Sequence, residues 1–213
     1  MNPAVDNSLL QYIENEIIPR YSFVDKAHSL DHISHVVENS LSLAEKLGLN
    51  VNMAYVIAAY HDLGNAVSRE HHHIISGDIL YADENLRRWF SEDEIVTMRE
   101  AVEDHRASSK HEPRSIYGKV VSDADRELSP TTVISRTIQF GIHNYPELSR
   151  EGHYYRMVEH LQEKYSAKGY IRLYFDFGQN RTDLEELRRI IADECRLHDI
   201  FNDLFDELSG SAH

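Results

Sequence analysis

The residues of this sequence that could do chemistry are histidines and aspartates that interrupt apolar segments. The clearest case is "VIAAYHDLGN", in which an apolar run ends in His61 and Asp62. An imidazole and a carboxylate placed there lose hydration, and a bound divalent metal ion compensates that loss. Further polar residues within or beside apolar helical stretches are His32, His73, His105 and Asp125.

Imidazole nitrogens combined with carboxylate oxygens suit particular metal ions. The set favours Mn, Fe, Co, Ni or Zn over calcium, which prefers a cage of oxygens. The single cysteine, Cys195, excludes a structural zinc site built from thiolates and an internal disulfide framework. The expected cofactor is therefore a divalent transition metal. Taken one at a time, a histidine is more often a surface or core residue than a ligand, so spacing alone leaves the site open.

The elements that must position these residues are helices. The segment "SLDHISHVVENSLSLAEKLG" carries apolar residues at helical spacing and ends in Gly48. Cap signals open later helices; they are Asn50 or Asn52, Ser91 to Glu94, Ser129-Pro130, and Thr182 to Glu185. The last of these predicts one long helix over 182–208. The pattern predicts an all-α fold.

No internal repeat or linker divides the chain. We therefore expect one domain over residues 1–213, with a motif-bearing core at about 22–130 and a helical extension at about 131–213. One stretch departs from helical spacing, because apolar and polar residues alternate over 170–180. A lone strand would have no pairing partner, so we expect a helix or an irregular segment that faces the core.

Composition excludes several classes of function. A net charge of -14 disfavours binding to a nucleic acid polymer, but it leaves a small phosphorylated substrate open because a metal reverses the local field. The apolar runs are too short to span a bilayer, and the N-terminus lacks the pattern of a signal peptide. We expect no membrane association and a cytoplasmic location.

Several segments taken together resemble a known family. The segments "DHISHVVENSLSLAEKLG", "VIAAYHDLGN", "HHHIISGDIL", "AVEDHRAS" and "YGKVVSDADREL" are similar to the HD-domain metal-dependent phosphohydrolases, especially their small, single-domain bacterial members. The resemblance covers about Ser29 to Leu128. A His-Asp doublet alone is a weak signal, but its combination with an upstream histidine and a downstream "DADR" is strong. The resemblance implies a single compact helical HD-domain bundle.

The resemblance also assigns a first metal ion. His32 matches the first histidine ligand of the family, His61 and Asp62 match the doublet, and Asp125 matches the final ligand. Asp123 lies two residues before Asp125 and competes for that position, but the family pattern favours Asp125.

A second ion or a phosphate contact is implied by two further histidines. His73 and His105 match additional histidines of the family, and with both in place Asp62 would bridge two metal ions. His71 and His72 flank His73. Helix phase favours His73, because it shares a face with the small and apolar residues that follow it.

Three cations lie beside these motifs and are candidates for binding phosphate: Arg69, Lys119 and Arg126. A surface ion pair explains each of them equally well. Asn65 stands where many relatives have lysine, and no Glu-Asp pair follows the doublet. The acid and base of the reaction are therefore not assigned by the resemblance.

The expected function is hydrolysis of a small phosphorylated substrate, a nucleotide or a phosphomonoester, by water that a metal activates. Asp62 is the expected catalytic residue, because it lies on the metal and near that water. Two alternatives stay open. The first is a di-iron oxygenase of the HD fold, and the second is a binding protein without activity. The aromatic stretch near 170–177 is either core or the surface of a homodimer.

Overall fold

The computed structural model describes residues 5–23, 30–106 and 111–210. Within these ranges every regular element is helical, which confirms the all-α prediction. The chain divides into two compact units, Met1–Arg126 and Glu127–His213. None of the helices in the described ranges combines the length and the hydrophobicity needed to cross a membrane. The division lies close to the boundary expected between core and extension, and the single-domain assignment stays a prediction.

The first unit is built from short and medium helices. In its described part the α-helices are α1 (Asn7–Tyr12), α2 (Leu30–Leu47), α3 (Val51–Tyr60), α4 (His72–Ala82), α5 (Glu92–Asp104) and α6 (Ile116–Ala124). A π-helical turn and 3-10 turns continue or connect them, at Ile13–Ile17, Ile18–Phe23, Leu63–Ala66 and Glu84–Arg88.

Helix α3 is the centre of this unit. Every residue of α3 except Asn52 is buried, and the helix packs against α2, α4, α5 and α6. A helix that is hydrophobic all round is stable only when other elements surround it. The side chain of Asn50 caps its first turn, and Gly48 ends α2 with a φ of 67°, as the sequence predicts. The residues that follow Tyr60 therefore lie in the interior of the unit.

The chemistry-bearing residues lie at helix ends. This placement follows from the start and stop signals of the sequence, including the capping box of Ser91 and Glu94 that opens α5. His32 is in the first turn of α2, His61 and Asp62 follow α3, His72 opens α4, His105 follows α5, and Asp125 follows α6.

The second unit is also helical and has its own core. Its described helices are α7 (Pro130–Asn144), α8 (Arg150–Tyr165), α9 (Gln179–Ala192) and α10 (Glu194–Gly210). Between α8 and α9 the chain is irregular up to Gly178, whose φ of 97° suits glycine. Ile171 is buried and Leu173 packs against the core, which agrees with an irregular segment facing inward.

The prediction of one long helix from Thr182 onward was wrong. The helix begins earlier, at Gln179, and it stops at Asp193, where a second helix starts. The carboxylate of Asp193 accepts a hydrogen bond from the backbone N–H of Arg196 at 3.0 Å, so Asp193 caps α10. An aspartate before a glutamate is an N-cap signal, and the continuous apolar periodicity on both sides concealed it.

Candidate metal centre

The His-Asp doublet lies in the interior of the first unit. The ring of His61 is fully buried, and the side chain of Asp62 is 4% exposed. Atom Nδ1 of His61 donates to the carbonyl oxygen of Ala58 at 2.7 Å, because that carbonyl can only accept. This bond directs Nε2 toward Asp62, where it lies 3.3 Å from Oδ2. The end of α3 therefore supplies two metal-binding atoms side by side.

Two more side chains complete a first half-site around Oδ2 of Asp62. Atom Nε2 of His32 lies 3.1 Å from Oδ1 of Asp125 and 3.8 Å from Oδ2 of Asp62. Atom Nε2 of His61 lies 3.5 Å from Oδ1 of Asp125. Ligands about 2.1 Å from one ion are separated by about 3.0–3.4 Å in tetrahedral or octahedral geometry. The spacing of these four residues fits a single ion.

A second half-site lies on the other oxygen of Asp62. Atom Oδ1 is 3.4 Å from Nε2 of His72 and 3.6 Å from Nε2 of His105. The two Nε2 atoms are 3.1 Å apart. Asp62 thus presents Oδ2 to one group of imidazoles and Oδ1 to another, which is how a carboxylate bridges two metal ions.

Three of the histidines share one hydrogen-bonding arrangement. Each donates from Nδ1 to the carbonyl three residues earlier: His61 to Ala58, His72 to Arg69 and His105 to Val102. These carbonyls lie in helix ends or turns. A histidine whose Nδ1 is held in this way presents the bare lone pair of Nε2, the form that binds a metal.

This arrangement leaves nitrogen lone pairs that need a positive partner. The Nε2 atoms of His72 and His105 face each other at 3.1 Å, and both are acceptors when both Nδ1 atoms carry protons. The Nε2 of His61 is buried and has no hydrogen-bond partner. Two acceptors at that distance repel unless a proton or a cation lies between them. The residues therefore fit a divalent metal at both half-sites.

The pKa values of the first half-site reflect its carboxylates. Burial alone would lower the pKa of His61, but Asp62 and Asp125 outweigh it and raise the pKa well above 6.5. Burial would raise the pKa of Asp125, but the neighbouring imidazoles of His32 and His61 hold it far below its usual value. Negative charge at this position attracts cations, whether protons or metal ions.

Neighbouring groups fix the backbone around the doublet. The hydroxyl of Tyr21, which is buried, donates to the carbonyl of Ala59 at 3.0 Å and accepts from the N–H of Asp62 at 3.3 Å. Burial, followed by the charge of Asp62, raises the pKa of Tyr21 well above 10, so this hydroxyl stays protonated. Tyr21 orients Asp62 without carrying charge itself.

The turn after the doublet is fixed to α4. The N–H of Gly64 donates to Oγ of the buried Ser76 at 2.8 Å. A Cβ on Gly64 would lie 2.3 Å from the carbonyl oxygen of His72, so only glycine allows this approach. The contact brings the start of α4, and with it the ring of His72, against Asp62.

The structure brings His72 against Asp62, where the sequence predicts His73, and the role of His73 in binding metal or phosphate stays a prediction. The contact of Gly64 with Ser76 sets the rotation of α4 about its axis, so that the side chain of His72 points toward Asp62. His73 lies one residue further around, with its ring 5.5 Å from that of His72 and its Nδ1 buried without a partner. Burial, and then the charges of His72 and His105, lower the pKa of His73 to about 4. The nearest sequence signal is the spacing of His72 and Ser76, one helical turn apart, but His73 and Gly77 share that spacing.

The three candidate phosphate-binding cations have different surroundings. Arg69 is exposed, and its side chain forms no ion pair within the described residues. Lys119 forms an ion pair with Glu112 at 2.5 Å. Arg126 follows Asp125, donates to Oγ of Ser122 at 3.3 Å, and has a buried Nε without a partner.

Comparison with known proteins supports the resemblance to the HD-domain family. Among the curated proteins and the solved structures, none matches this chain significantly. A family profile described as HD domain matches residues 29–128, a range that contains all six residues of the two half-sites. The resemblance noted in the sequence is confirmed over residues 29–128, the part of the chain that matches the HD-domain family.

Proposed function

We propose that this protein is a metal-dependent phosphohydrolase that cleaves a phosphoester or phosphoanhydride bond of a small phosphorylated substrate. One observation carries the proposal. The two oxygens of Asp62 face two separate groups of imidazoles, which is the arrangement of a two-metal hydrolytic centre.

The charges at the centre favour an anionic substrate. Divalent ions bound there would polarise a phosphoryl oxygen and lower the pKa of water toward neutrality. Asp62 and Asp125 carry two negative charges and the histidines bind as neutral ligands, so two such ions leave the centre positive. The centre thus attracts phosphate although the chain has a net charge of -14.

The residues of the chain have separable roles in this proposal. Asp62 would hold both ions, one on each carboxylate oxygen, and would orient the attacking water. The first ion would be held by Asp125, His32 and His61 as well. Arg126 is the best supported cation for the phosphoryl group, because it adjoins Asp125 and its buried Nε has no partner. Lys119 is already neutralised by Glu112, and Arg69 is exposed.

The test is hydrolysis of a panel of nucleotides, phosphomonoesters and p-nitrophenyl phosphate, with Mn, Co, Ni or Zn added. Wild type is compared with Asp62→Ala and with Asp31→Asn, a matched loss of an exposed carboxylate beside His32. We expect metal-dependent turnover in wild type and Asp31→Asn and none in Asp62→Ala. Metal-loaded wild type that turns over no member of the panel, or turnover retained in Asp62→Ala, would contradict the proposal.

A di-iron oxygenase is a second candidate, favoured by the composition of the centre. Four imidazoles and two carboxylates, from His32, His61, His72, His105, Asp62 and Asp125, also suit a pair of iron ions. Iron as the metal of the purified protein, together with oxygen consumption in place of phosphate release, would favour this candidate. Binding of phosphorylated compounds without either reaction would leave only a binding role.

A further inference from the structure

The second unit contains a cleft whose charge is unlike that of the chain as a whole. The cleft lies between α7 and α8 and has a volume of about 350 Å³, which is within the range of small-molecule sites. Helix α7 lines it with Val133, Arg136, Thr137 and Phe140, which follow one another at helical spacing. All the lining residues belong to the second unit.

Helix α8 contributes a row of basic residues to the cleft. Arg156, His160 and Lys164 occur at intervals of four residues, so they share a face and span about 12 Å along the helix axis. With Arg136 of α7, three permanent cations and an imidazole meet there. Glu127 is the acidic residue among those that line the cleft.

These cations lack the carboxylate partners that other arginines of the same unit have. Among the described residues, Arg136, Arg156 and Lys164 form no ion pair with an acidic side chain. In the same unit the guanidinium groups that do pair with a carboxylate include those of Arg150, Arg181, Arg189 and Arg196. Cations that repel one another in a cleft, within an acidic protein, indicate that an external anion completes the balance.

Arg156 is the fixed point of the cleft. Its Nη2 donates to the carbonyl oxygen of Thr137, and its guanidinium lies 5.6 Å from the ring of Phe140 and 5.8 Å from that of Tyr145. Its Nε atom is buried and has no hydrogen-bond partner. Both Nε and Nη2 pack against Gly141 of α7, each 2.9 Å from the position that a Cβ there would take. These contacts hold the guanidinium in place, and its positive charge is what Arg156 offers to an anion in the cleft.

The state of His160 agrees with this picture. Burial, and then the positive charges of Lys164 and Arg156, lower the pKa of His160, although Glu163 acts in the opposite direction. The imidazole is therefore neutral near pH 7 and can donate one hydrogen bond without adding charge.

From this geometry we propose that the cleft between α7 and α8 binds a small polyphosphorylated anion, at a site separate from the residues of the metal centre. The phosphate oxygens are bound by the side chains of Arg136, Arg156 and Lys164. His160, which lies between Arg156 and Lys164 on α8, donates a hydrogen bond to the same anion. The same chemistry occurs in inorganic polyphosphate and in a nucleoside triphosphate.

The experiment is isothermal titration of the whole protein with inorganic tripolyphosphate and, separately, with adenosine 5′-(β,γ-imido)triphosphate. The test variant is Arg136→Glu with Lys164→Glu. The control is Lys168→Glu with Arg172→Glu, which makes the same change of charge at exposed positions of the same unit that do not line the cleft. All of these proteins retain the metal centre, so a difference between the test variant and the control reports on the cleft.

We expect the test variant to bind at least about tenfold more weakly than wild type and the control to bind as wild type does. Tripolyphosphate as the tighter ligand would identify inorganic polyphosphate as the source, and the analogue as the tighter ligand would identify a nucleotide. Equal binding by the test variant and the control, or no binding by wild type outside the metal centre, would overturn the proposal. If the test variant fails to fold, Arg136→Gln with Lys164→Gln replaces it, with Lys168→Gln and Arg172→Gln as control.

Discussion

The histidines of the two units have different surroundings, although each unit contains at least one that is buried. In the first unit the rings of His61, His72 and His105 surround one carboxylate, and each donates from Nδ1 to a backbone carbonyl. In the second unit His153 packs 5.5 Å from Phe205, and His198 packs 4.9 Å from Tyr154.

Burial alone therefore does not identify a metal ligand. His61 and His153 are 0% and 5% exposed. The difference is that His61 meets carboxylates at a helix end, where a free carbonyl fixes its tautomer, whereas His153 lies inside α8 among aromatic and cationic neighbours. The same side chain is a candidate metal ligand in one unit and a packing residue in the other.

The largest expected difference in activity is between the alanine variants of His61 and His153. Loss of an outer partner of a metal ligand typically costs 10- to 100-fold in affinity or activity, so His61→Ala should lose at least about 100-fold in metal-dependent activity. His153→Ala removes packing and leaves the centre intact, so its activity should stay within about twofold once folding is verified. Steady-state assays with measured metal content decide between the two, and equal losses would remove the distinction.

The next largest effect distinguishes His72 from the adjacent His73 by their contributions to binding of the second ion. His72→Ala removes a ligand of the second half-site and should weaken binding of the second ion at least about tenfold, whereas His73→Ala should change it little. Titration of metal-free protein with Mn or Co measures both affinities. If His73→Ala bound the second ion more weakly and His72→Ala bound it normally, His73 would be the ligand, as helix phase led us to expect.

A smaller effect tests how His72 is positioned. Gly64→Ala should displace the start of α4, because the new Cβ would meet the carbonyl of His72, and overpacking of this kind costs about 1–3 kcal/mol of stability. Binding of the second metal ion should weaken with it. Gly210→Ala, at a glycine with no atom within 4 Å of the added Cβ, is the control. Urea denaturation and metal titration give the two readouts, and a Gly64→Ala protein as stable as the control would refute this packing.

The smallest effect concerns pH in the metal-free protein. Carboxylates raise the pKa of His61 above 6.5 despite its burial, so its stabilising contribution is complete below pH 6.5 and is lost as the pH rises through the raised pKa. Burial and Arg156 lower the pKa of His153, so its contribution is complete above pH 6.5 and is lost as the pH falls below that value.

The stabilities of His61→Gln and His153→Gln relative to wild type should therefore change with pH in opposite directions. The free energy of unfolding in urea at pH 5.5 and pH 8 measures this. If the stability of both variants relative to wild type changed in the same direction with pH, the carboxylates would not be what sets the pKa of His61.

Much of the centre was predictable because its residues lie at helix ends that the sequence marks. The apolar run of α3 ends in His61 and Asp62, and that position by itself implies a buried doublet. His32 and Asp125 were expected to join them, and the structure places them there. Helix boundaries and burial are local properties, and local patterns predict them.

The features that were missed depend on contacts between elements. His72 faces the centre because the contact of Gly64 with Ser76 fixes the start of α4. The positions of these two residues in the sequence do not show that they are in contact in the fold. The break at Asp193 depends on a side-chain cap that competes with continuous helical periodicity. The orphaned Nε of Arg156 exists only because α7 and α8 pack as they do. Sequence patterns predict which face of an element is apolar, but they do not predict rotation within a few tens of degrees.

The most direct test is the metal-to-protein ratio of wild type beside Asp62→Ala, measured by elemental analysis after reconstitution with Mn, Co, Ni or Zn. If Asp62 joins two half-sites, wild type should hold two ions and the variant fewer than one, because the substitution removes a ligand from both. The same ratio in both proteins, or no metal in either, would contradict the account of Asp62 as the bridge of a two-metal centre.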